Sequence, residues 1–236
     1  MSLLQSAYTL LIVLGLVACQ GNTTENTEST TPQGQNDPEP ETKTTSPLRQ
    51  KYLTLKESKA NLKKEQAKTS LWEIMEKKDT IIFTFYRNEE GAVKVLEYQK
   101  KYDQGENQGH QEQYIHFYLE NDEVFAYWEF NIIGEAKDGD ISYYMDESLL
   151  LAEGDKIVEQ EMRDKKIMGS EVEGLNQNAF QSFAPMQAAL DGAEVQKGIN
   201  AVGYSTTEEL NTRYEARAIE FDNFEEGIYE HTGKSE

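Results

Sequence analysis

Between Thr80 and Met162 the chain repeats one unit, a run of β-branched and aromatic residues followed by a short Asn/Asp/Gly turn. Thr80-Ile-Ile-Phe-Thr-Phe-Tyr86 is the first run, and Asn88-Glu-Glu-Gly91 turns it into Ala92–Tyr102. Asp103–Gln111 is a longer loop. Gln113–Leu119 and Glu123–Phe130 then flank Glu120-Asn121-Asp122. Lys137-Asp-Gly-Asp140 precedes Ile141–Met145, and Glu153-Gly154-Asp155 joins Leu149–Ala152 to Lys156–Met162. β-Branched and aromatic residues suit a pleated, half-buried surface. Strands this closely spaced leave no room for crossover helices, so the pattern predicts an antiparallel meander of five to seven strands over residues 79–167.

The flanks read differently. Residues 49–78 contain no Gly or Pro and are rich in Ala, Leu, Lys and Glu, which predicts a helix that docks through Leu71–Met75. Residues 168–226 are expected to be mostly helical. One helix over Asn178–Leu190 is broken at Pro185, and a second starts at the capping pair Ser205 and Glu208. In the second, Leu210, Tyr214, Arg217 or Ala218, and Phe221 form one stripe to about Phe224. Residues 227–236 read as a loose tail. The fold class is therefore α+β: a meander sheet flanked by an N-terminal helix and C-terminal helices.

At the N-terminus, Ala7–Leu16 is an apolar run of about ten residues, too short to span a bilayer and of signal-peptide length. It ends in Leu16-Val17-Ala18-Cys19, which holds the chain's only cysteine. Residues 1–19 resemble a bacterial lipoprotein precursor. They depart from it in having no Lys or Arg before the apolar run. The resemblance implies a signal peptide over 1–18, and acylation of Cys19 as the new N-terminus. Its partner is then a lipid bilayer, held firmly because two or more acyl chains anchor together. Gln20, rather than Asp, follows the cysteine. By analogy with enterobacterial sorting, the resemblance implies the outer membrane of the cell envelope. With lipid on its only thiol, the domain would have no disulfide despite an exported address that permits one. Residues 19–48, rich in Thr, Asn, Gln, Glu and Pro, bury too little apolar surface to offset ordering entropy and read as a disordered tether.

Charge narrows the function. The net charge of -20 disfavours nucleic acid, which requires a basic face. Residues 49–78 run against that trend, with nine basic and four acidic side chains. The simplest expectation is that this basic segment packs on the acidic remainder. An alternative is that it faces an anionic surface.

Catalytic and cofactor patterns are missing. Asp138-Gly-Asp140-Ile-Ser142 begins like a calcium loop but has Tyr143 where the sharp turn needs Gly. The three histidines form no ligand pair, and there is no G-x-S-x-G or phosphate-binding glycine loop. No metal, cofactor or catalytic residue is assigned. Aromatic residues give the one candidate surface. Tyr114, His116 and Tyr118, with Phe125 and Tyr127 on the neighbouring strand, would share one sheet face. Ile115, Phe117, Leu119, Val124, Ala126, Trp128 and Phe130 would form the core face. Either the first set binds a protein or glycan of the envelope, or helices cover it. The expectation is a membrane-anchored envelope lipoprotein acting as a non-enzymatic binding or structural module. The alternative is an envelope-polymer hydrolase using paired carboxylates.

Overall fold

The computed structural model describes residues 45–74, 77–103, 110–137, 140–168 and 183–225. Its body is one antiparallel sheet of eight strands in sequential order: β1 (Lys63–Ile74), β2 (Lys77–Arg87), β3 (Val93–Asp103), β4 (His110–Glu120), β5 (Glu123–Lys137), β6 (Asp140–Glu153), β7 (Lys156–Met168) and β8 (Gln196–Lys197). Helix α1 (Pro47–Ser58) precedes the sheet; α2 (Phe183–Leu190) and α3 (Thr207–Glu225) follow β7. The expected α+β meander with flanking helices is present.

The strand limits differ from the expectation at both ends. The helix expected over 49–78 stops at Ser58, continues as a 3-10 turn over Lys59–Asn61, and becomes β1 at Lys63. Ser46 caps α1 by accepting a hydrogen bond from the Arg49 N–H at 3.2 Å, and Pro47 takes the first turn, where its missing donor costs nothing. Beyond Leu62, the outer edge of β2 offers a row of unpaired backbone groups. Pairing Lys63 with Arg87, and each following residue in turn as far as Ser70 with Thr80, satisfies both strands and overrides a modest helix propensity. Lys63, Lys64, Glu65 and Gln66 remain exposed on β1, and such charge discourages edge-to-edge association. The sheet also runs to Met168, and β8 adds a two-residue strand against Glu161 and Met162.

Turn chemistry explains the hairpins. Asn121 and Asp122 adopt φ of 51° and 65°, the left-handed pair that a two-residue turn between Glu120 and Glu123 requires. Gly154, at φ 62°, starts the equivalent turn from β6 to β7.

Both faces of the sheet are buried. One carries Tyr114, Tyr118, Trp128, Phe130 and Met145 beneath Tyr52 of α1 and Met186 and Leu190 of α2. The other carries Phe83, Phe85, Ile115, Phe117, Tyr127 and Leu150 beneath Leu210 and Phe221 of α3. Each fully buried large apolar side chain contributes roughly 1.5–3 kcal/mol.

Helix α3 supplies the expected stripe, with Leu210 and Phe221 buried and Tyr214 packed beside them. Its cap lies one residue later than expected. Thr206 Oγ1 accepts from the Glu209 N–H at 3.3 Å, and the Glu209 carboxylate accepts from the Ser205 and Thr206 N–H groups. Helix α2 matches the later part of the helix expected over Asn178–Leu190, and Pro185 sits in its first turn, where it does not break the helix. The remainder of that helix, the signal peptide, Cys19, residues 20–44 of the tether and the tail over 227–236 lie outside the described residues.

A bulge sets which residues of β5 face which side. The register slips between Tyr118 and Leu119, which pair with Ala126 and Val124 and leave Phe125 as the extra residue. Val124 and Tyr127 therefore point toward α3, whereas Phe125, Ala126, Trp128 and Phe130 point toward α1 and α2. The free N–H of Val124 is taken by Asn211 Oδ1 of α3 at 2.8 Å.

Candidate functional site

The five aromatic candidates do not form an exposed surface. Tyr114, Tyr118, Phe125 and Tyr127 are all buried. The bulge separates Tyr127 from the other four, placing it on the α3 side against Phe117, with ring centroids 5.3 Å apart. The expected core set is divided in the same way: Ile115, Phe117, Leu119 and Val124 face α3, while Ala126, Trp128 and Phe130 face the opposite side. Tyr118 meets Tyr52 edge-on at 4.9 Å, and Lys51 Nζ lies 4.1 Å from the centroid of the Phe125 ring. The expectation of an exposed aromatic stripe is thus corrected, because helices cover both faces.

Ion pairs hold that cover in place. Arg49 pairs with Glu159 and Glu161, Lys51 with Glu120, and Lys59 with Glu97. These cations of the basic segment are matched to strand carboxylates, as expected of a segment that packs on the acidic remainder. Trp128 Nε1 donates to Glu147 at 2.7 Å, and Arg163 Nε meets the same carboxylate at 2.5 Å. Arg163 also reaches Asp191 at 3.3 Å, just past α2. A cavity of about 230 Å³ between α1 and the sheet is lined by this network. Both of its carboxylates, Glu147 and Glu161, are paired with an arginine, which suits fastening rather than recognition.

His116 belongs to the same network rather than to a solvated face. Its side chain is 17% exposed, its ring centroid is 4.5 Å from that of Trp128, and Nε2 is 3.7 Å from Glu97 Oε1. Burial pushes the His116 pKa down to about 4; Lys59 and Lys56 add to this, and Glu97 opposes it.

The other face holds a site of different character. A cavity of about 420 Å³ is lined by Glu129 and Asn131 of β5, Tyr144 and Asp146 of β6, Tyr204, and Arg213 of α3. Three local features build it. Strand alternation points Glu129 and Asn131 to the side of Tyr127. Asn200 organises the rim, accepting from the Val202 and Gly203 N–H groups at 3.2 and 3.1 Å and donating to the Tyr204 carbonyl. Gly203 adopts φ +78° in this turn, which disfavours any side chain there. Tyr204 then stands edge-on to Tyr127 at 5.5 Å. Finally, Thr207 Oγ1 donates to the Gly154 carbonyl at 2.8 Å, tying the start of α3 to the β6–β7 turn.

The electrostatics of this cavity are unbalanced. Glu129 is 4% exposed and accepts from Gln113 at 2.7 Å, Asn131 at 3.1 Å and the Tyr127 hydroxyl. The Asn131 amide donates its other N–H to Asp146 Oδ1 at 3.0 Å, so one amide bridges two carboxylates. Asp164 pairs across the ladder with Asp146. Burial raises the Asp146 pKa; the charges of Glu129 and Asp164 add to the rise, against the Asn131 hydrogen bond. Among the described residues no Lys or Arg forms an ion pair with Glu129, Asp146 or Asp164, and Arg213 likewise has none. Arg213 Nε is buried without a hydrogen-bond partner.

Asp146 therefore carries a charge that the fold resists. Asp146→Asn keeps an acceptor for Asn131 and removes the repulsion, so it is expected to raise stability at pH 7 by about 0.5–1 kcal/mol. The gain fades as pH falls and the wild-type carboxyl takes up its proton. Urea midpoints at pH 7 and pH 4 check it; a variant less stable than wild type at pH 7 would contradict it.

In so acidic a chain, Glu129 and Asp146 do not stand out by residue type. The available signal was positional. Glu129 and Asn131 alternate with Trp128 and Phe130 within an aromatic strand, and Tyr144, Asp146 and Ser148 alternate with Met145 in the next. Among the described residues no three His, Cys, Asp or Glu side chains are grouped to hold a metal ion. No helix among them is long and apolar enough to cross a membrane. The chain matches no protein-family model, no curated protein and no solved structure.

Proposed function

We propose that this chain is a lipid-anchored lipoprotein of the bacterial envelope, resident in the outer membrane, and that its body is a non-enzymatic binding module. The anchor rests on Leu16-Val17-Ala18-Cys19 following an apolar run of signal-peptide length. The binding reading is carried by one observation: Glu129 and Asp146 share the Asn131 amide in an open cavity, and neither forms an ion pair with a Lys or Arg among the described residues. Maintaining two neighbouring carboxylates in that state costs stability, and such cost concentrates at functional sites. Tyr114, His116, Tyr118 and Phe125 take no part in this binding, since they lie on the opposite face of the sheet.

Two measurements test the reading. In membrane fractions, wild-type protein is expected to carry an acylated Cys19, and Cys19→Ala to leave the membrane fraction; an unmodified Met1 would defeat the anchor. Purified domain is expected to gain thermal stability from at least one class of small polar ligand, an effect that Asp146→Asn diminishes. Ligand gains untouched by that change would move the binding site elsewhere.

A second reading, hydrolysis of an envelope polymer, is favoured by the raised pKa of Asp146 beside Glu129, the arrangement in which one carboxyl acts as acid and the other as base. Release of soluble fragments from cell-wall glycan, abolished in Asp146→Asn, would establish it over pure binding.

A further inference from the structure

Glu129, Asp146 and Arg213 line one cavity, yet no ion pair joins either acid to the base. We infer that the pocket takes a small zwitterion, a ligand bearing an ammonium and a carboxylate on one short scaffold. The ammonium sits between Glu129 and Asp146, and the carboxylate meets Arg213. This rests on the reading of the cavity as a binding site and adds the chemical class of its ligand.

Single-sign ligands fail on electrostatic grounds. A purely cationic ligand would satisfy the carboxylates but bring a like charge toward the Arg213 guanidinium. A purely anionic one would meet Arg213 but face Glu129, Asp146 and Asp164. Only a ligand with both signs neutralises both ends.

The donor and acceptor inventory agrees. A carboxylate offers about four lone-pair sites. Glu129 uses three in the bonds described, while Asp146 accepts only from Asn131, so Asp146 retains most of its capacity for an ammonium. At the other end, Arg213 Nε is buried and unpartnered, and a guanidinium fork matches a carboxylate in two parallel hydrogen bonds. A separate observation lies beside the floor. Ser148 is 1% exposed, sits directly across the ladder from Glu129 on the same face as Asp146, and its Oγ has no hydrogen-bond partner. A buried hydroxyl in that state is rare in a finished core.

Size and walls limit the scaffold. A volume of about 420 Å³ suits a small molecule rather than a folded partner. Tyr144, 39% exposed, and Tyr204 line the same space, and aromatic rings attract a cation.

Isothermal titration of the purified domain with alanine and alanyl-alanine tests the inference. Their amides, which lack the carboxylate, and their N-acetyl derivatives, which lack the ammonium, are titrated beside them. Putrescine and succinate serve as single-sign controls. At least one zwitterion is expected to bind, with each of its capped forms at least about tenfold weaker, the loss of one charge-assisted contact. Asp146→Asn and Arg213→Gln should each weaken it by a similar factor with circular dichroism unchanged; if Arg213→Gln does not fold, Asp146→Asn and the capped ligands still decide. An amide or putrescine that binds as tightly as the zwitterion overturns the zwitterion and leaves the binding site standing, as does succinate binding alone. Absence of binding by every one of these compounds overturns both.

Discussion

Replacing Phe117 with alanine is expected to destabilise the domain by about 3–5 kcal/mol, the usual cost of removing a fully buried aromatic ring. Phe117 has no exposed surface, and its ring lies between strand and helix, 5.3 Å from Tyr127 and 5.8 Å from Tyr214 of α3. The ring therefore joins the centre of the sheet to the helix that roofs the polar cavity. Collapse of its neighbours cannot fill the space, because Tyr127 is fixed by its hydroxyl bond to Glu129 and Tyr214 by its place on α3. Against a total stability of about 5–15 kcal/mol, the loss corresponds to a fall in Tm of roughly 6–20 °C. Phe117→Leu keeps much of the volume and is expected to cost less than half as much. Urea unfolding followed by tryptophan fluorescence measures both. A cost below about 1.5 kcal/mol for Phe117→Ala would mean that α3 does not pack on this face in solution.

Much of this architecture was legible because turn residues and strand periodicity are local. The turns at Asn88–Gly91, Asn121–Asp122 and Gly154–Asp155 stand where their φ preferences place them, and the Leu210–Phe221 stripe faces the core. The pairing of the basic segment with strand carboxylates was also legible, since charge asymmetry within one compact chain tends to resolve internally. Non-local effects were hidden. Nothing in Lys63–Ile74 itself announces a strand; the open edge of β2 makes it one. Nothing in Phe125 announces a bulge, yet that one extra residue exchanges the faces of Tyr127 and Trp128 and so undoes the expected aromatic stripe. Nothing near Tyr52 in sequence marks it as the buried anchor of α1, because its partner Tyr118 lies 66 residues away. The polar cavity failed to stand out for a related reason. In so acidic a chain, Glu129 and Asp146 look unexceptional until the fold buries one, half-buries the other and bridges them with Asn131.

Acidification is expected to loosen the domain through His116, by about 2–3 kcal/mol between pH 7 and pH 4. The sign follows from where the proton binds. An unfolded histidine titrates near 6.5. In the folded domain, burial against Trp128, with Lys59 and Lys56 nearby, holds the ring neutral down to about pH 4, despite the attraction of Glu97. Between those values the unfolded state binds more protons, so stability falls as pH falls through that window, by at most ~1.4 kcal/mol per unit. Two carboxyls modify the total. Burial alone would raise Glu97, but His116 once protonated, together with Lys59 and the Tyr86 hydroxyl, outweighs it, so the Glu97 contribution is lost as pH falls through its lowered range. Asp146, raised by burial, acts in the opposite sense and recovers stability on protonation. A comparison with His116→Gln isolates the histidine. The variant loses packing on Trp128 and starts less stable at pH 7, but its stability should decline less steeply, so the two curves converge by about 2–3 kcal/mol on reaching pH 4. Because Lys59 and His116 meet at Glu97, the structural change should appear first where α1 gives way to β1. Hydrogen exchange of the Lys59–Leu62 amides at pH 4.5, set against Leu96 and Phe117 in the sheet, reads that out. Curves that run parallel from pH 7 to pH 4 would show that His116 titrates normally in the folded domain and is not enclosed as described.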